Sequence, residues 1–270
     1  MTRRLTALMA LALAFPVSIA AQEAALARLE KSPRHHEWVS ITSGDHKVDT
    51  FVVYPERKEK ALAVIVIHEN RGLTDWVRSV ADRLAENGYI ALAPDLLTGK
   101  APGGGRTANF PDQDAARTAI YALDPAIVLS DLNAVADHAR KIPAADGRLA
   151  VIGFCWGGSQ TWRVAMARED LALAAPFYGT APEEGAAFKS IACPVFGFYG
   201  GADSRVNATL DSTTAAMKEA GKTFEPEIYA EAGHGFMRAG EEGDATPPNR
   251  TAMEQGWKRL LDKLASAGGK

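Results

Sequence analysis

Two stretches near the start of the chain, Glu37 to Ser43 and Lys47 to Tyr54, alternate in polarity and are rich in β-branched residues, with Ser43-Gly44-Asp45 at their junction. Alternation on both sides of a glycine-bearing turn predicts a β-hairpin. The pattern then changes. Leu62 to His68 is a continuous apolar run ending in histidine, which predicts a strand buried on both faces, and Trp76 to Asn87 shows helical spacing up to a stop at Gly88. Further along, strands are expected at Tyr89 to Ala93, Leu149 to Phe154, Leu173 to Phe177, Val195 to Tyr199 and Glu225 to Ala230. Helices are expected between Asp112 and Ile142, interrupted near Asp124-Pro125, and over Gly157 to Ala167, Asn207 to Ala220 and Asn249 to Ala265. Repeated β-α units of this length predict an α/β fold, a doubly wound and mostly parallel sheet with helices on both faces.

No repeat or linker divides this series, so residues 37–270 are expected to form one domain, preceded over 22–36 by a linker that is helical around Ala24 to Lys31. The least regular stretch runs from Gly99 to Pro111 through Pro102-Gly103-Gly104-Gly105, and a loop of that length beside a sheet often borders an active site. The first residues stand apart. Arg3 and Arg4 precede an uncharged run from Leu5 to Ala14, and Ser18 and Ala20 supply small residues before a cut after Ala20 or Ala21. This predicts a signal peptide over 1–21 and an exported protein, periplasmic or secreted, with no stable membrane insertion once the leader is removed. The residues after the arginine pair do not strengthen a twin-arginine signal, so the general secretory route is expected.

Composition adds limits. A hydrophobic fraction of 47% in 270 residues suits one sizeable core, and 30 basic against 33 acidic residues leave a net charge of -3. With no long single-sign run, a polybasic footprint for nucleic acid or anionic membrane is excluded, and a small-molecule substrate is the expected partner.

The chemistry concentrates after the strand ending at Phe154. Gly153-Phe154-Cys155-Trp156-Gly157-Gly158 passes directly into helical sequence, the pattern of a nucleophile elbow with cysteine as nucleophile. A sharp strand-to-helix turn strains the backbone at Cys155, the glycines two before and two after it permit close approach of neighbouring segments, and the helix that follows presents free N–H groups near the sulfur. The backbone N–H of Trp156 is then placed as an oxyanion donor. A structural buried cysteine is the plain alternative. Two further residues favour catalysis: Asp203 in Gly200-Gly201-Ala202-Asp203 and His234 in Ala232-Gly233-His234-Gly235 each follow a parallel strand, so nucleophile, acid and base converge on one sheet edge. Their order along the chain is that of α/β-hydrolases. His35, His36, His46 and His138 have no such context, and His68 lies on the same edge but precedes the elbow. No metal-ligand spacing appears, and the glycine run at 103–105 is not followed by Lys-Ser/Thr, so neither a metal nor a cofactor is expected.

An exported chain with two cysteines invites a disulfide. Cys155 follows its strand whereas Cys193 precedes the strand Val195 to Tyr199, which puts them on opposite edges of a parallel sheet, about 20 Å apart at ~3.3 Å per residue. A disulfide needs Cα atoms within about 7 Å, so two free thiols are expected.

Together, His68-Glu69-Asn70-Arg71-Gly72, Ala93-Pro94-Asp95-Leu96, the Cys155 elbow, Gly200-Gly201-Ala202-Asp203 and Ala232-Gly233-His234-Gly235-Phe236 resemble the dienelactone hydrolase (carboxymethylenebutenolidase) family, from about Val48 to the C-terminus. The resemblance implies an α/β-hydrolase fold and a Cys155-His234-Asp203 triad acting on small esters or lactones. It also implies that Glu69 lies against the nucleophile and helps control its ionisation, and that the Asn70 N–H joins that of Trp156 in the oxyanion hole. Arg238, four residues after the histidine, would bind a substrate carboxylate or pair with the glutamate. At the family's second arginine the chain instead reads Asn109-Phe110-Pro111-Asp112-Gln113, with Arg106 or Arg117 nearby as substitutes. A peptidase or other acyl hydrolase would share these residues. A non-catalytic binding protein is disfavoured, because every triad position carries usable chemistry.

Overall fold

In the computed structural model, which describes residues 19–183 and 185–267, the apolar runs assemble into one eight-stranded sheet. Its strands are β1 (His36–Ser43), β2 (His46–Val53), β3 (Ala61–Ile67), β4 (Ile90–Pro94), β5 (Ala145–Phe154), β6 (Leu171–Phe177), β7 (Val195–Gly200) and β8 (Phe224–Tyr229), in the order β1-β2-β4-β3-β5-β6-β7-β8. The hairpin β1-β2 joins β4 antiparallel, and all other pairs are parallel. Parallel strands buried on both faces need helical crossovers, and nine α-helices accompany the sheet among the described residues. They are α1 (Ile19–Lys31), α2 (Asp75–Glu86), α3 (Gln113–Tyr121), α4 (Pro125–Lys141), α5 (Trp156–Ala167), α6 (Ser204–Asn207), α7 (Leu210–Glu219), α8 (Phe236–Ala239) and α9 (Pro247–Ala267). The signal-peptide reading falls outside the described residues, apart from positions 19–21 at the start of α1.

Alternate residues of the central strands feed two cores. Val64, Val66, Ile152, Phe154 and Phe177 meet Leu29 of α1, Trp76 and Leu84 of α2, and Trp257 and Leu260 of α9 on one face. Ile65, Ile67, Leu149 and Val151 meet Leu132 and Val135 of α4, Trp162 of α5 and Met217 of α7 on the other. The break between α3 and α4 has a local cause: Asp124 accepts the Ala126 N–H as an N-cap, and Pro125 takes the first helical position, where its missing N–H costs nothing.

Two features differ from the sequence expectation. The helix expected over Asn207 to Ala220 begins later, as α7, and the one-turn α6 precedes it, because the backbone N–H and the hydroxyl of Thr209 both donate to the Val206 carbonyl and close α6 as a turn. The four-residue α8 lies directly behind His234 and is too short to show helical periodicity in sequence.

Asp82 of α2 ties the N-terminal segment to this frame. Its carboxylate is wholly buried and accepts hydrogen bonds from Arg28, Ser32, Arg34 and His36. Burial alone would raise its pKa, but the hydrogen bonds from Arg34, Ser32 and His36 outweigh burial and hold it at about 2. Removing one side of such a buried pair leaves uncompensated charge, so Asp82→Ala is expected to cost about 3 kcal/mol of unfolding free energy. Urea unfolding measures this, and a midpoint unchanged from wild type would mean that the clamp contributes nothing.

Candidate active site

The turn from β5 into α5 is built by its glycines. A Cβ at Gly153 would collide with the Gly157 carbonyl, and one at Gly157 would collide with the carbonyls of Ile67 and His68 at the end of β3. With those side chains absent, the elbow closes tightly and Cys155 is forced to φ 56° and ψ -115°, a conformation that costs an L-residue roughly 1–3 kcal/mol. The Cys155 N–H is held by the Phe177 carbonyl at 3.0 Å, and its own carbonyl accepts the Ser159 N–H. Trp156 opens α5, so its N–H is one of the donors a helix leaves unsatisfied at its start.

Asp203 follows β7 and caps α6, its Oδ1 accepting the Val206 N–H at 3.3 Å. Its other oxygen accepts from His234 Nδ1 at 2.5 Å. The two loops are zipped together, Ala202 N–H donating to the Ala232 carbonyl and Gly201 N–H to the Tyr229 carbonyl, while the Asn249 side chain holds the Gly233 N–H. With Nδ1 facing Asp203, Nε2 is left for the Cys155 sulfur. Burial lowers the His234 pKa, but the Asp203 hydrogen bond and then the hydrogen bond and charge of Cys155 outweigh it and push the pKa up to about 10. The stability this raised pKa contributes is complete below the ordinary value of 6.5 and fades as pH rises through about 10. Asp203 shifts the other way: burial raises it, the His234 hydrogen bond and charge lower it further, and the net direction is down. Its contribution is present above the ordinary carboxylate range and is lost as pH falls through the lowered value.

Glu69 is buried on the same edge and receives Arg238 Nε at 3.1 Å, while Arg238 Nη1 donates to Glu242 at 2.9 Å. Of the two roles open to Arg238, the structure thus displays the pairing with Glu69. Arg117 lies on α3, 3.2 Å from Asp114. Arg106 is elsewhere: its guanidinium sits 3.8 Å over the Trp38 ring on the edge strand β1, and among the described residues it is not brought to Cys155. Asn70 donates its side-chain amide to the Tyr121 hydroxyl at 3.1 Å, linking the loop after β3 to α3.

Two residues that sequence reading gave no role also face this edge. The half-buried Arg71 has its pKa lowered by burial and by the charges of Arg238 and Arg117, against the opposing pull of Glu69 and Cys155. Tyr178, buried at φ 39°, sets its ring edge-on to His234 at 5.1 Å. Arg71 stood inside the His68-to-Gly72 motif and was visible as a cation beside Glu69; Tyr178 gave no pattern to find. Cys193 lies at the amino end of β7, both cysteines are free, and burial pushes the Cys193 thiol up to about 11.

A comparison of the sequence with protein families decides the kinship, since the dienelactone hydrolase family matches residues 48–268. The chain belongs to the dienelactone hydrolase family. Its relatives include a Methylorubrum extorquens protein named "Putative carboxymethylenebutenolidase", 32% identical over 85% of this chain and 80% of the relative. The carboxymethylenebutenolidase of Pseudomonas putida is 29% identical over 85% of this chain and 96% of its own length. Among solved structures, a Klebsiella pneumoniae protein titled "Putative Dienelactone Hydrolase" superimposes with a TM-score of 0.75 at 27% identity, covering 86% of this chain and 98% of that one. The sheet order and helical layers are those of the family's α/β-hydrolase fold, and the chain is a hydrolase of that family.

Proposed function

We propose that this dienelactone hydrolase relative is an exported enzyme that cleaves small carboxylic esters or lactones through a thioester on Cys155. The observation that carries the reading is the His234–Asp203 pair at 2.5 Å, beside a cysteine strained onto a strand-to-helix turn that helps raise the His234 pKa. Export is supported by the leader-like sequence of residues 1–21 alone.

In the proposed reaction the Cys155 thiolate attacks the acyl carbon, and the backbone N–H groups of Trp156 and Asn70 receive the developing oxyanion. The bond from carbon to the leaving oxygen breaks, and His234 Nε2–H protonates that alkoxide. Neutral His234 then takes a proton from water as the water oxygen attacks the thioester carbonyl, and collapse returns the thiolate and releases the acid. Asp203 keeps Nδ1 protonated throughout. Burial and the positive charges of Arg238 and Arg117 disfavour the charged form of Arg71, and an acyl substrate bearing a carboxylate would favour it.

The test is a panel of short-chain p-nitrophenyl esters, small lactones and peptide p-nitroanilides. Turnover of esters and lactones well above that of the anilides is the expected result. No turnover of any ester or lactone, or faster turnover of the anilides, would overturn the proposal.

A further inference from the structure

His68 is fully buried one residue past the end of β3, and both its ring nitrogens are engaged. Nδ1 lies 2.8 Å from the Glu69 carbonyl oxygen, and Nε2 is 3.3 Å from the Leu96 backbone N–H. A carbonyl can only accept and a backbone N–H can only donate, so the ring is neutral with its proton on Nδ1. The direction of its pKa agrees: burial, the dominant influence, lowers it despite the nearby Asp95 and Glu69 charges. Its face stacks on the Trp156 indole, with ring centroids 5.5 Å apart and planes at 13°. One imidazole therefore touches Trp156 and the peptide unit that carries the Asn70 N–H, the two groups assigned to the oxyanion hole.

The Glu69 carbonyl and the Asn70 N–H belong to a single peptide unit. In a trans peptide these two bonds are held coplanar and point in opposite directions, so fixing the carbonyl fixes the N–H. The structure contains no cis peptide among the described residues. The Glu69 carbonyl is gripped by His68 Nδ1–H and, at 3.3 Å, by the Gly72 N–H. The Asn70 N–H, on the opposite side of the same plane, is used by no acceptor among the described residues. The far end of the loop is pinned independently: Leu73 N–H donates to the Thr107 hydroxyl, which donates to Asp95.

We propose that His68 is a positioning residue for the oxyanion hole, holding the Glu69 carbonyl so that the Asn70 N–H stays turned toward the acyl oxygen. The proposal rests on the hydrolytic reading above and goes beyond it, because His68 neither touches substrate nor moves a proton in the reaction.

The test uses the full chain and the best ester of the panel, with His68→Phe and His68→Asn beside wild type. Phenylalanine keeps the ring stack on Trp156 and removes both polar contacts; asparagine carries an amide N–H near the position of Nδ1. Losing one oxyanion donor lowers kcat by about 10²- to 10³-fold, so H68F is expected to fall by about 10²-fold in kcat with KM nearly unchanged. H68N is expected to recover about tenfold of that loss. Alkylation of Cys155 by iodoacetamide displaces iodide and develops no oxyanion, so its rate should stay at the wild-type value in both variants. An H68F protein with wild-type kcat, an H68N protein as impaired as H68F, or parallel loss of alkylation and hydrolysis would each overturn the positioning role. Failure of the hydrolytic reading looks different: wild-type protein itself turns over no ester, whatever stands at position 68.

Discussion

If Cys155 is the nucleophile of the proposed mechanism, Cys155→Ala is expected to lower ester hydrolysis by at least about 10⁴-fold, since removing a triad nucleophile leaves only binding and oxyanion stabilisation to act on the uncatalysed attack of water. The fall should appear in kcat. Alanine occupies the same elbow, the glycines that shape it are untouched, and the His234–Asp203 pair keeps its own hydrogen bond. Substrate affinity, measured directly by calorimetry with a slow ester, should therefore remain near wild type. The variant also loses one support of the raised His234 pKa, because the sulfur's hydrogen bond and charge both contribute to it. An NMR titration of His234 should move below about 10. A Cys155→Ala protein retaining a tenth or more of the wild-type rate would remove the cysteine from the mechanism.

The parts of this site that were legible in sequence are those whose constraints are local or topological. The elbow is a contiguous pattern because one turn must hold strand, nucleophile and helix start together, so Gly153, Cys155 and Gly157 declare one another. Asp203 and His234 were legible through a longer route: each follows a parallel strand, and the carboxyl ends of parallel strands share an edge. The same rule separated Cys155 from Cys193, and both thiols are free. What sequence did not carry is side-chain direction over longer distances. Arg106 looked as near to the site as Arg117, but the path of the loop from Gly99 to Pro111 is set by Thr107 binding Asp95 and by the Trp38 face, and these take Arg106 to the sheet's far edge. Arg71, two residues after Glu69, acquires meaning only when Arg238 and Arg117 arrive from distant segments. The separation of α6 from α7 depends on a single residue, Thr209, whose backbone N–H and hydroxyl both reach the Val206 carbonyl, below the resolution of any periodicity.

Asp203→Asn is expected to lower kcat by about 10³- to 10⁴-fold at neutral pH while leaving the fold intact, and the cause is the tautomer it imposes. Asp203 serves two donors at once, the Val206 N–H on Oδ1 and His234 Nδ1–H on Oδ2. An asparagine has one oxygen. If that oxygen keeps the helix cap, which costs about 1 kcal/mol to lose, the amide N–H₂ must face Nδ1. A donor opposite Nδ1 requires that nitrogen to accept, so the ring proton moves to Nε2, where it blocks proton transfer from the Cys155 thiol. The carboxylate that stabilises the imidazolium is also gone, so the His234 pKa should drop from about 10 toward its ordinary value. Aspartate and asparagine are nearly equal in shape, so the packing is kept, and the urea midpoint should fall at neutral pH only by the electrostatic stabilisation the pair contributes there, a difference that shrinks as pH rises through about 10; a large loss of rate in protein that is still folded isolates the electrostatic and tautomeric role. If Asp203→Asn hydrolyses esters at the wild-type rate with an unchanged His234 titration, Asp203 is a helix cap and the orienting acid lies elsewhere.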